Sequence, residues 1–365
     1  MRGLTLGMVL ALATLQSRAQ VLESHIDGRI DLLEIVVDAE RLSSDGPVWW
    51  RGAVTRFGTG FLRLHMVIRS GATVPPFIVS VEGDRGGLFS YARDDFGPDG
   101  LWTAAMPAGT LVVSLIGAER PEGLELRIDS VMVEGNSGAL FSTWGGVDET
   151  RPVNDPAVPP EVRALGGPVA RLSFIRGGKP RSCTGFLIAD DILLTNEHCV
   201  SDLESCGSMT AIFGFERDAA GRLGFGTQAR CAGMVRSDFA LDAALVKLDR
   251  PMSSSFGLVA MSQEDVIDGA PLVVVQHPGG APKQVSFLNC HVLSALVDGR
   301  AASSDLAHSC DTASGSSGAP VFNGEGRVVA LHHYGFAEGQ VDKWTENRAV
   351  RGARLEAWLR ANVPP

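Results

Sequence analysis

Several features that would assign this 365-residue chain to other classes of protein are scarce or missing. Basic residues number 32 against 42 acidic ones, and the formal net charge is −10. Because nucleic-acid binding needs clustered lysine and arginine, this balance argues against nucleic acid as a partner. Neither a Cys-x-x-Cys nor a His-x-x-x-His spacing occurs, which argues against a structural zinc site. We expect no metal and no organic cofactor, and no internal repeat of fixed period is present.

Long apolar runs are also missing, apart from one short run at the N-terminus. Leu4 to Leu15 form an uncharged apolar stretch after Arg2, and Ser17-Arg18-Ala19 follows as a small-x-small cleavage site. Spanning a bilayer takes about 20 apolar residues, so this run is too short for an anchor. The pattern predicts a signal peptide over residues 1–19 and an exported protein, periplasmic or extracellular, with no membrane span.

The cysteine content agrees with export. Six cysteines fit an oxidising compartment, where disulfides form and persist. Their pairing is open in principle, but their placement narrows it. One pair brackets a predicted strand-loop-strand unit, and the other two pairs are neighbours in sequence: Cys183 with Cys199, Cys206 with Cys231, and Cys290 with Cys310.

The length suggests two or three domains. Residues 20–141 contain short β-branched or alternating runs, of which 124–131 alternates strictly, separated by turns rich in glycine and proline. This spacing predicts a β-sandwich of jelly-roll type. Such modules often bind carbohydrate or protein, so a ligand of either kind is an expectation for this domain, by analogy of fold alone.

A proline-rich segment separates this region from a second one. Residues 142–161 contain four prolines, which predicts an extended, semi-rigid linker. Residues 162–365 are again strand-rich, and only the end of the chain predicts a helix. The positions that define its apolar face are Ala349, Leu355, Trp358 and Leu359. The chain is therefore predicted to be all-β with one C-terminal helix.

Three short segments of the second region carry the chemistry of a serine hydrolase. A serine lies in the glycine turn Gly315–Pro320, a histidine precedes Cys199, and Asp242 opens the apolar run to Leu248. A serine hydroxyl is a weak nucleophile at neutral pH and needs an adjacent base. The chain order His, Asp, Ser is the order found in the chymotrypsin-like β-barrels.

These segments, together with 183–188, 276–280 and 328–333, give residues 162–361 a family resemblance. The region resembles the trypsin-like (chymotrypsin-fold) serine peptidases, in particular secreted bacterial members related to glutamyl and lysyl endopeptidases. The resemblance implies a two-barrel fold and a triad of nucleophile Ser317, general base His198 and orienting Asp242. It also implies an oxyanion hole formed by the backbone N–H groups of Gly315 and Ser317, where Gly315 can adopt positive φ.

The chain departs from the animal trypsins just before the nucleophile. There an Asp pairs with the new N-terminus that activation releases, whereas this chain has Ser316, which cannot form an ion pair. Activation by that switch is not expected. Either the peptidase region is competent without a cleaved N-terminus, or the N-terminal domain restrains it.

Two residues predict different substrate preferences. Asp311 lies six residues before Ser317, where the resemblance implies the floor of the specificity pocket and a slight preference for Lys or Arg before the scissile bond. His332 lies where glutamyl endopeptidases carry a histidine that binds an acidic side chain, and Asp311 would then only cap backbone amides in a turn. The segment His333-Tyr334-Gly335 is expected to pair with the substrate backbone.

The sequence thus predicts a secreted serine endopeptidase that acts on protein or peptide substrates through an acyl-enzyme intermediate. Two alternatives stay open: a catalytically inactive, peptidase-like binding or adhesion protein, and an esterase with the same triad. A preference for glutamate is the alternative to cleavage after Lys or Arg.

Overall fold

The computed structural model describes residues 25–26, 28–43, 46–70, 75–119, 122–135, 141–335 and 346–363. The predicted signal peptide lies outside the described residues. The described strands are β1 (His25–Ile26), β2 (Gly28–Val37), β3 (Val48–Arg69), β4 (Phe77–Gly83), β5 (Leu88–Ala92), β6 (Leu101–Trp102), β7 (Met106–Gly117), β8 (Glu125–Glu134), β9 (Phe141–Ser142), β10 (Arg151–Pro152), β11 (Val169–Arg176), β12 (Lys179–Ala189), β13 (Ile192–Thr195), β14 (Thr210–Phe213), β15 (Thr227–Asp238), β16 (Ala243–Leu248), β17 (Ala260–Met261), β18 (Val273–Gln276), β19 (Gln284–Ser286), β20 (Val292–Val297), β21 (Asp305–His308), β22 (Thr312–Ala313), β23 (Pro320–Phe322), β24 (Arg327–Tyr334) and β25 (Asn347–Arg351). The described helices are α1 (Pro160–Ala164), α2 (Leu203–Ser208), α3 (Ser253–Phe256) and α4 (Gly352–Asn362).

The N-terminal strands form one antiparallel sheet around a core of their own. The strand order is β2-β8-β3-β7-β4-β5, and β6 pairs with β3. The 22-residue β3 pairs with β7 along Val48–Leu62 and with β8 along Leu62–Arg69, so a single long strand joins the two halves. The strands share one hydrogen-bonded sheet because β3 is long enough to pair with both β7 and β8, and the sandwich of jelly-roll type stays a prediction. Trp49 lies buried in its core.

The first barrel is closed by hydrogen bonds between β12 and β13. Its strands follow the order β12-β11-β14-β15-β16-β13, and β13 also pairs with β12. The barrel interior is filled by apolar side chains such as Leu172, Phe213 and Val246, all completely buried. This is the closed antiparallel arrangement that leaves no free sheet edge inside the barrel.

The second barrel is built from β10, β17–β21 and β23–β25 in one nine-stranded sheet. A core between the two barrels contains Phe186 of the first barrel and Phe322 of the second. Helix α4 packs Leu355 and Leu359 into this core, as predicted, but it begins at Gly352, because Ala349 belongs to β25. The mostly-β, two-barrel chymotrypsin-like fold with a short C-terminal helix is thus confirmed.

The proline-rich segment lies against the second barrel. Its strand β10 pairs with β19, and Val153 and Val158 are buried in the core between the barrels. The segment is extended, as its prolines require, but it is packed along the barrel surface. The domain boundaries drawn from the sequence stay a prediction.

The N-terminal sheet docks onto the first barrel through buried polar contacts. Glu134 at the end of β8 forms an ion pair with Arg171 of β11 at 2.8 Å, and both side chains are about 2% exposed. Arg63 of β3 donates to the Thr103 carbonyl at 2.8 Å and to the Ser173 carbonyl at 3.3 Å. Buried charges of this kind are tolerated only when they are paired. The sheet and the barrel therefore share a desolvated interface.

Candidate active site

Three loops carry the predicted triad residues, and a direct contact joins two of them, His198 and Asp242. His198 follows β13 of the first barrel, Asp242 directly precedes β16, and Ser317 lies just before β23 of the second barrel. β13 and β16 are antiparallel neighbours with Thr195 opposite Ala244, which brings the loops of His198 and Asp242 to the same end of the barrel.

Asp242 orients His198 through both of its carboxylate oxygens. His198 Nδ1 lies 2.8 Å from Asp242 Oδ2, and the His198 backbone N–H donates to Oδ1 at 3.0 Å. The Asn196 side chain donates to the Asp242 carbonyl at 2.8 Å. Asp242 has φ of 47°, a left-handed conformation that is uncommon for a residue with a side chain. The local backbone is thus held in a strained conformation that aims the carboxylate at the imidazole.

The reacting atoms of the predicted pair are buried and have no partner of their own. Neither His198 Nε2 nor Ser317 Oγ forms a hydrogen bond with any described residue. Ser317 is completely buried and His198 is 4% exposed. In structures without substrate, catalytic hydrogen bonds are often long and tighten only in the complex. Neither atom is therefore engaged by another group among the described residues.

The backbone around Ser317 has the shape of an anion-binding turn. Gly315 has φ of 96°, a conformation favourable only for glycine. Its carbonyl accepts from Thr184 Oγ1 at 2.9 Å, and the Thr184 N–H donates to the Ser317 carbonyl at 2.8 Å. The N–H groups of Gly315 and Ser317 have no acceptor among the described residues. Two such donors can stabilise an oxyanion.

Asp242 also contacts Arg300 and His333, which the sequence did not predict as partners of the triad aspartate. Arg300 Nη2 lies 3.2 Å from Asp242 Oδ1, and His333 Nδ1 lies 3.2 Å from Oδ2. His333 Nε2 in turn lies 2.6 Å from Asp305. Arg300 and Asp305 come from the β20–β21 region, which no sequence motif linked to the triad. His333 was expected only as part of the substrate-binding edge.

The charges around Asp242 shift the pKa values of its neighbours. Burial disfavours the imidazolium of His333, but Asp305 and Asp242 outweigh it and raise its pKa to about 9. Burial alone would raise the pKa of Asp242, yet His198 and His333 hold it well below its usual range. At neutral pH, His333 is therefore a cation between two carboxylates.

His332 pairs with a second buried histidine. Its Nδ1 lies 3.1 Å from His308 Nε2, and both residues are completely buried. Burial, and then the charges of His333 and His198, lower the pKa of His332 to about 3. The backbone of His332 bonds to the residue after Ser317, because the Gly318 N–H donates to the His332 carbonyl at 2.9 Å. A neutral imidazole thus lies beside the serine loop.

Asp311 faces the proline-rich segment. Its two carboxylate oxygens accept the backbone N–H groups of Trp144 and Glu149, at 2.7 and 2.8 Å. Burial raises the pKa of Asp311, against the lowering effect of these two hydrogen bonds. This geometry favours the capping role over the pocket floor, although the role in specificity stays a prediction.

The segment predicted to bind the substrate backbone ends next to the triad. The rings of Tyr334 and His198 are nearly parallel, with centroids 6.2 Å apart, and Arg300 donates to the Tyr334 hydroxyl. Gly335 follows β24 as the last described residue before the gap at 336–345. Pairing of His333, Tyr334 and Gly335 with a substrate stays a prediction.

All six cysteines are paired as their placement indicated. The bonds join Cys183 with Cys199, Cys206 with Cys231, and Cys290 with Cys310. The first bond attaches the residue after His198 to β12. Its two sulfur atoms lie near the His198 ring, but the disulfide leaves them no thiolate with which to bind a metal. No helix among the described residues is long and apolar enough to cross a membrane.

Curated relatives match part of the chain. The secreted RxLR effector protein 73 of Plasmopara viticola is 33% identical over 183 residues, which cover 46% of this chain and 44% of that protein. The uncharacterized protein y4fB of Sinorhizobium fredii (strain NBRC 101917 / NGR234) is 35% identical over 165 residues, 42% of this chain and 25% of that protein. The chain thus matches less than half the length of either relative.

Solved structures give a more distant likeness. A Glu endopeptidase in complex with MPD matches at 22% identity and a TM-score of 0.44, covering 60% of this chain and 99% of that one. The inactive form of the Rv3671c protease of M. tuberculosis matches at 19% identity and a TM-score of 0.42, covering 58% of this chain and 98% of that one. With TM-scores this low, neither likeness bears on the site.

The family comparison covers the site itself. The match to the family described as trypsin-like peptidase domain extends over residues 183–331 and includes His198, Asp242 and Ser317. The finding agrees with the closed barrel, the glycine turn and the His-Asp contact described above. Residues 183–331 of this chain are therefore similar to a trypsin-like peptidase domain.

Proposed function

We propose that the protein is an exported serine endopeptidase that cleaves peptide bonds through an acyl-enzyme on Ser317. The observation that carries the proposal is the contact of Asp242 with His198 Nδ1 at 2.8 Å, which leaves His198 Nε2 unpartnered. A histidine held in this way presents Nε2 as an acceptor, as a general base requires.

The reaction follows from this geometry. His198 Nε2 takes the proton of Ser317 Oγ while the oxygen attacks the scissile carbonyl carbon. The N–H groups of Gly315 and Ser317 stabilise the negative oxygen of the tetrahedral intermediate. The imidazolium then gives its proton to the leaving amine, which leaves an ester on Ser317. Water, deprotonated by His198, hydrolyses the ester and frees the acid product.

A fluorophosphonate probe tests the nucleophile directly, because it phosphonylates only an activated serine. We expect labelling of the mature chain, loss of labelling in Ser317→Ala and retained labelling in Ser314→Ala, which is the matched control. Labelling that persists in Ser317→Ala would refute the assignment. A folded wild type that neither reacts with the probe nor cleaves peptides would favour the inactive binding protein. Comparing amide and ester turnover addresses the esterase alternative.

For specificity, the geometry of Asp311 supports the glutamate alternative over cleavage after Lys or Arg. The two Asp311 oxygens are engaged by the proline-rich segment, whereas His332 offers a neutral, buried imidazole next to the serine loop. In the tautomer in which His308 Nε2 donates to His332 Nδ1, the proton of His332 is on Nε2, and an imidazole in this form is a hydrogen-bond donor.

A peptide-library digest separates the two preferences. We expect the wild type to cleave after Glu, and His332→Gln to lose that preference while it keeps reaction with the fluorophosphonate. Cleavage mainly after Lys or Arg, abolished in Asp311→Asn, would contradict this proposal and restore Asp311 as the pocket floor.

Export is proposed on two grounds. The three disulfides fit an oxidising compartment, and one relative bears the name of a secreted effector. N-terminal sequencing of the protein from a secreting host tests the proposal: a mature end at Gln20 is expected, and retention of Met1 would contradict it.

A further inference from the structure

The segment that leads from the N-terminal sheet to the peptidase domain lies along the chain just before the nucleophile. We call residues 141–149 the strap. Its strand β9 pairs antiparallel with β22, so that Ser142 lies opposite Thr312 and Phe141 opposite Ala313. The strap therefore contacts residues that are only four and five positions from Ser317.

Asp311 fastens the strap from the peptidase side. Its oxygens accept the N–H groups of Trp144 at 2.7 Å and Glu149 at 2.8 Å, and the residue is 3% exposed. The Asn347 side chain adds a second link, because its Nδ2 donates to the Ser142 carbonyl at 3.2 Å and to the Cys310 carbonyl at 2.7 Å. The strap is thus held by hydrogen bonds to Asp311 and to Asn347.

β22 connects the strap to residues 315–317, which we call the oxyanion turn. The Ala313 N–H donates to Ser316 Oγ at 3.0 Å, and the Ser316 N–H donates back to the Ala313 carbonyl at 2.9 Å. This reciprocal pair closes a tight turn around Gly315, whose φ of 96° directs its N–H. Ser316 thus bonds to β22, where the animal trypsins have an Asp that pairs with a released N-terminus.

The oxyanion donors are effective only when the backbone is fixed before the reaction, because reorganisation would cost part of the stabilisation. We propose that the strap fixes the oxyanion turn in this protein, and that Asp311 is the positioning residue through which it does so. The proposal rests on the proposed function, since it assigns the strap a role in the same reaction. It makes the N-terminal region a support for catalysis, in contrast to the restraint considered from the sequence.

The sharpest test removes one strap N–H without touching the substrate pocket. Glu149→Pro removes the donor to Asp311, whereas Glu149→Ala keeps that donor and loses only the side-chain contact with Asn289, which serves as the control. A misplacement of about 1 Å can cost about 10² in rate. We expect kcat to fall about 10- to 100-fold in Glu149→Pro, with KM within about twofold, and Glu149→Ala to stay near wild type.

Inhibitors separate positioning from general damage. A peptide aldehyde forms a hemiacetal whose oxygen occupies the oxyanion site, whereas the product peptide does not need that site. We expect Glu149→Pro to weaken the aldehyde by the same factor as kcat/KM and to leave product binding within about twofold. Equal weakening of aldehyde and product, or an unchanged kcat, would overturn the proposal.

Asp311→Asn decides the case if the proline variant does not fold. Asparagine has the same shape as aspartate but carries an NH₂ group in place of one acceptor oxygen. We therefore expect Asp311→Asn to lose as much kcat and aldehyde affinity as Glu149→Pro. A changed cleavage preference at unchanged kcat would overturn the proposal and make Asp311 a specificity residue. Failure of the proposed function is seen separately, because wild type would then not react with the fluorophosphonate.

Discussion

The position of His333 between two buried carboxylates predicts that the fold becomes less stable as the pH rises into the alkaline range. The imidazole lies 3.2 Å from Asp242 and 2.6 Å from Asp305 and is 1% exposed. Asp305 and Asp242 raise its pKa from the ordinary 6.5 to about 9 in the folded protein, against the effect of burial. The folded state thus holds a proton on His333 that the unfolded chain releases near neutral pH.

The magnitude follows from the linkage between proton binding and folding. Each pKa unit corresponds to about 1.36 kcal/mol, so the shift corresponds to about 3 kcal/mol of unfolding free energy. Because the folded pKa is the higher one, this stabilisation is fully present below pH 6.5 and is lost as the pH rises through about 9. A loss of this size is a substantial part of the stability of an ordinary domain.

Urea unfolding between pH 6 and 10 measures the effect. The background should be Ser317→Ala, which excludes self-digestion, with and without His333→Asn. Lys283 acts in the opposite direction. Burial lowers its pKa in the folded protein, so the free energy of unfolding rises as the pH rises and Lys283 loses its proton. The difference between the two proteins cancels that contribution and isolates His333.

We expect the stability advantage of the His333 protein to shrink by about 3 kcal/mol from pH 6.5 to 9.5. The other charged groups that face this site, Arg300 and Asp242, keep their charge over this range, since the pKa of Arg300 is raised by Asp242 and that of Asp242 is lowered. Parallel curves for the two proteins would refute the assignment of His333 as the bridging cation.

Three further outcomes are expected. Asp242→Asn should lower kcat about 10⁴-fold, the loss typical when the Asp of such a triad becomes Asn, with the fold kept in circular dichroism. Gly315→Ala should cost about 3 kcal/mol of transition-state stabilisation. Alanine does not tolerate the φ of 96°, and its Cβ would lie 3.0 Å from the His277 carbonyl, so the backbone should shift and displace an oxyanion donor. Unchanged kcat/KM would contradict this. Glu134→Gln should destabilise the fold by about 3–5 kcal/mol in urea, and Arg171→Met added to it should recover part of that loss, because the lone charge is then removed; simple additivity would argue against the buried pair.

The triad residues could be found in the sequence because each lies in a short local pattern. Ser317 lies in a glycine turn, and Asp242 begins a buried strand that neighbours the strand before His198. The partners of Asp242 beyond His198 could not be found in this way. Arg300 and Asp305 are about 60 residues away in the second barrel, and only the packing of the two barrels brings Arg300 to Asp242 and Asp305 to His333. No local pattern distinguishes them from the other arginines and aspartates of the chain.

Asp311 illustrates the converse case. The family resemblance implied a pocket floor at Asp311, but a resemblance in sequence does not say which way a side chain faces. The direction depends on the strap, which is more than 160 residues earlier in the chain. The N-terminal region shows the same limit: its strands were predicted from alternation, whereas the single sheet depends on how far β3 extends.

The sequence by itself determined the all-β class, the disulfide framework and the expected triad, because these depend on residue type, short spacing and periodicity. The tertiary structure decided which charges surround Asp242, where Asp311 points and what holds the oxyanion turn. These properties depend on contacts between distant segments in a desolvated interior, where each buried charge or N–H must find a partner. That requirement gives Arg300, His333 and the strap their places around the site.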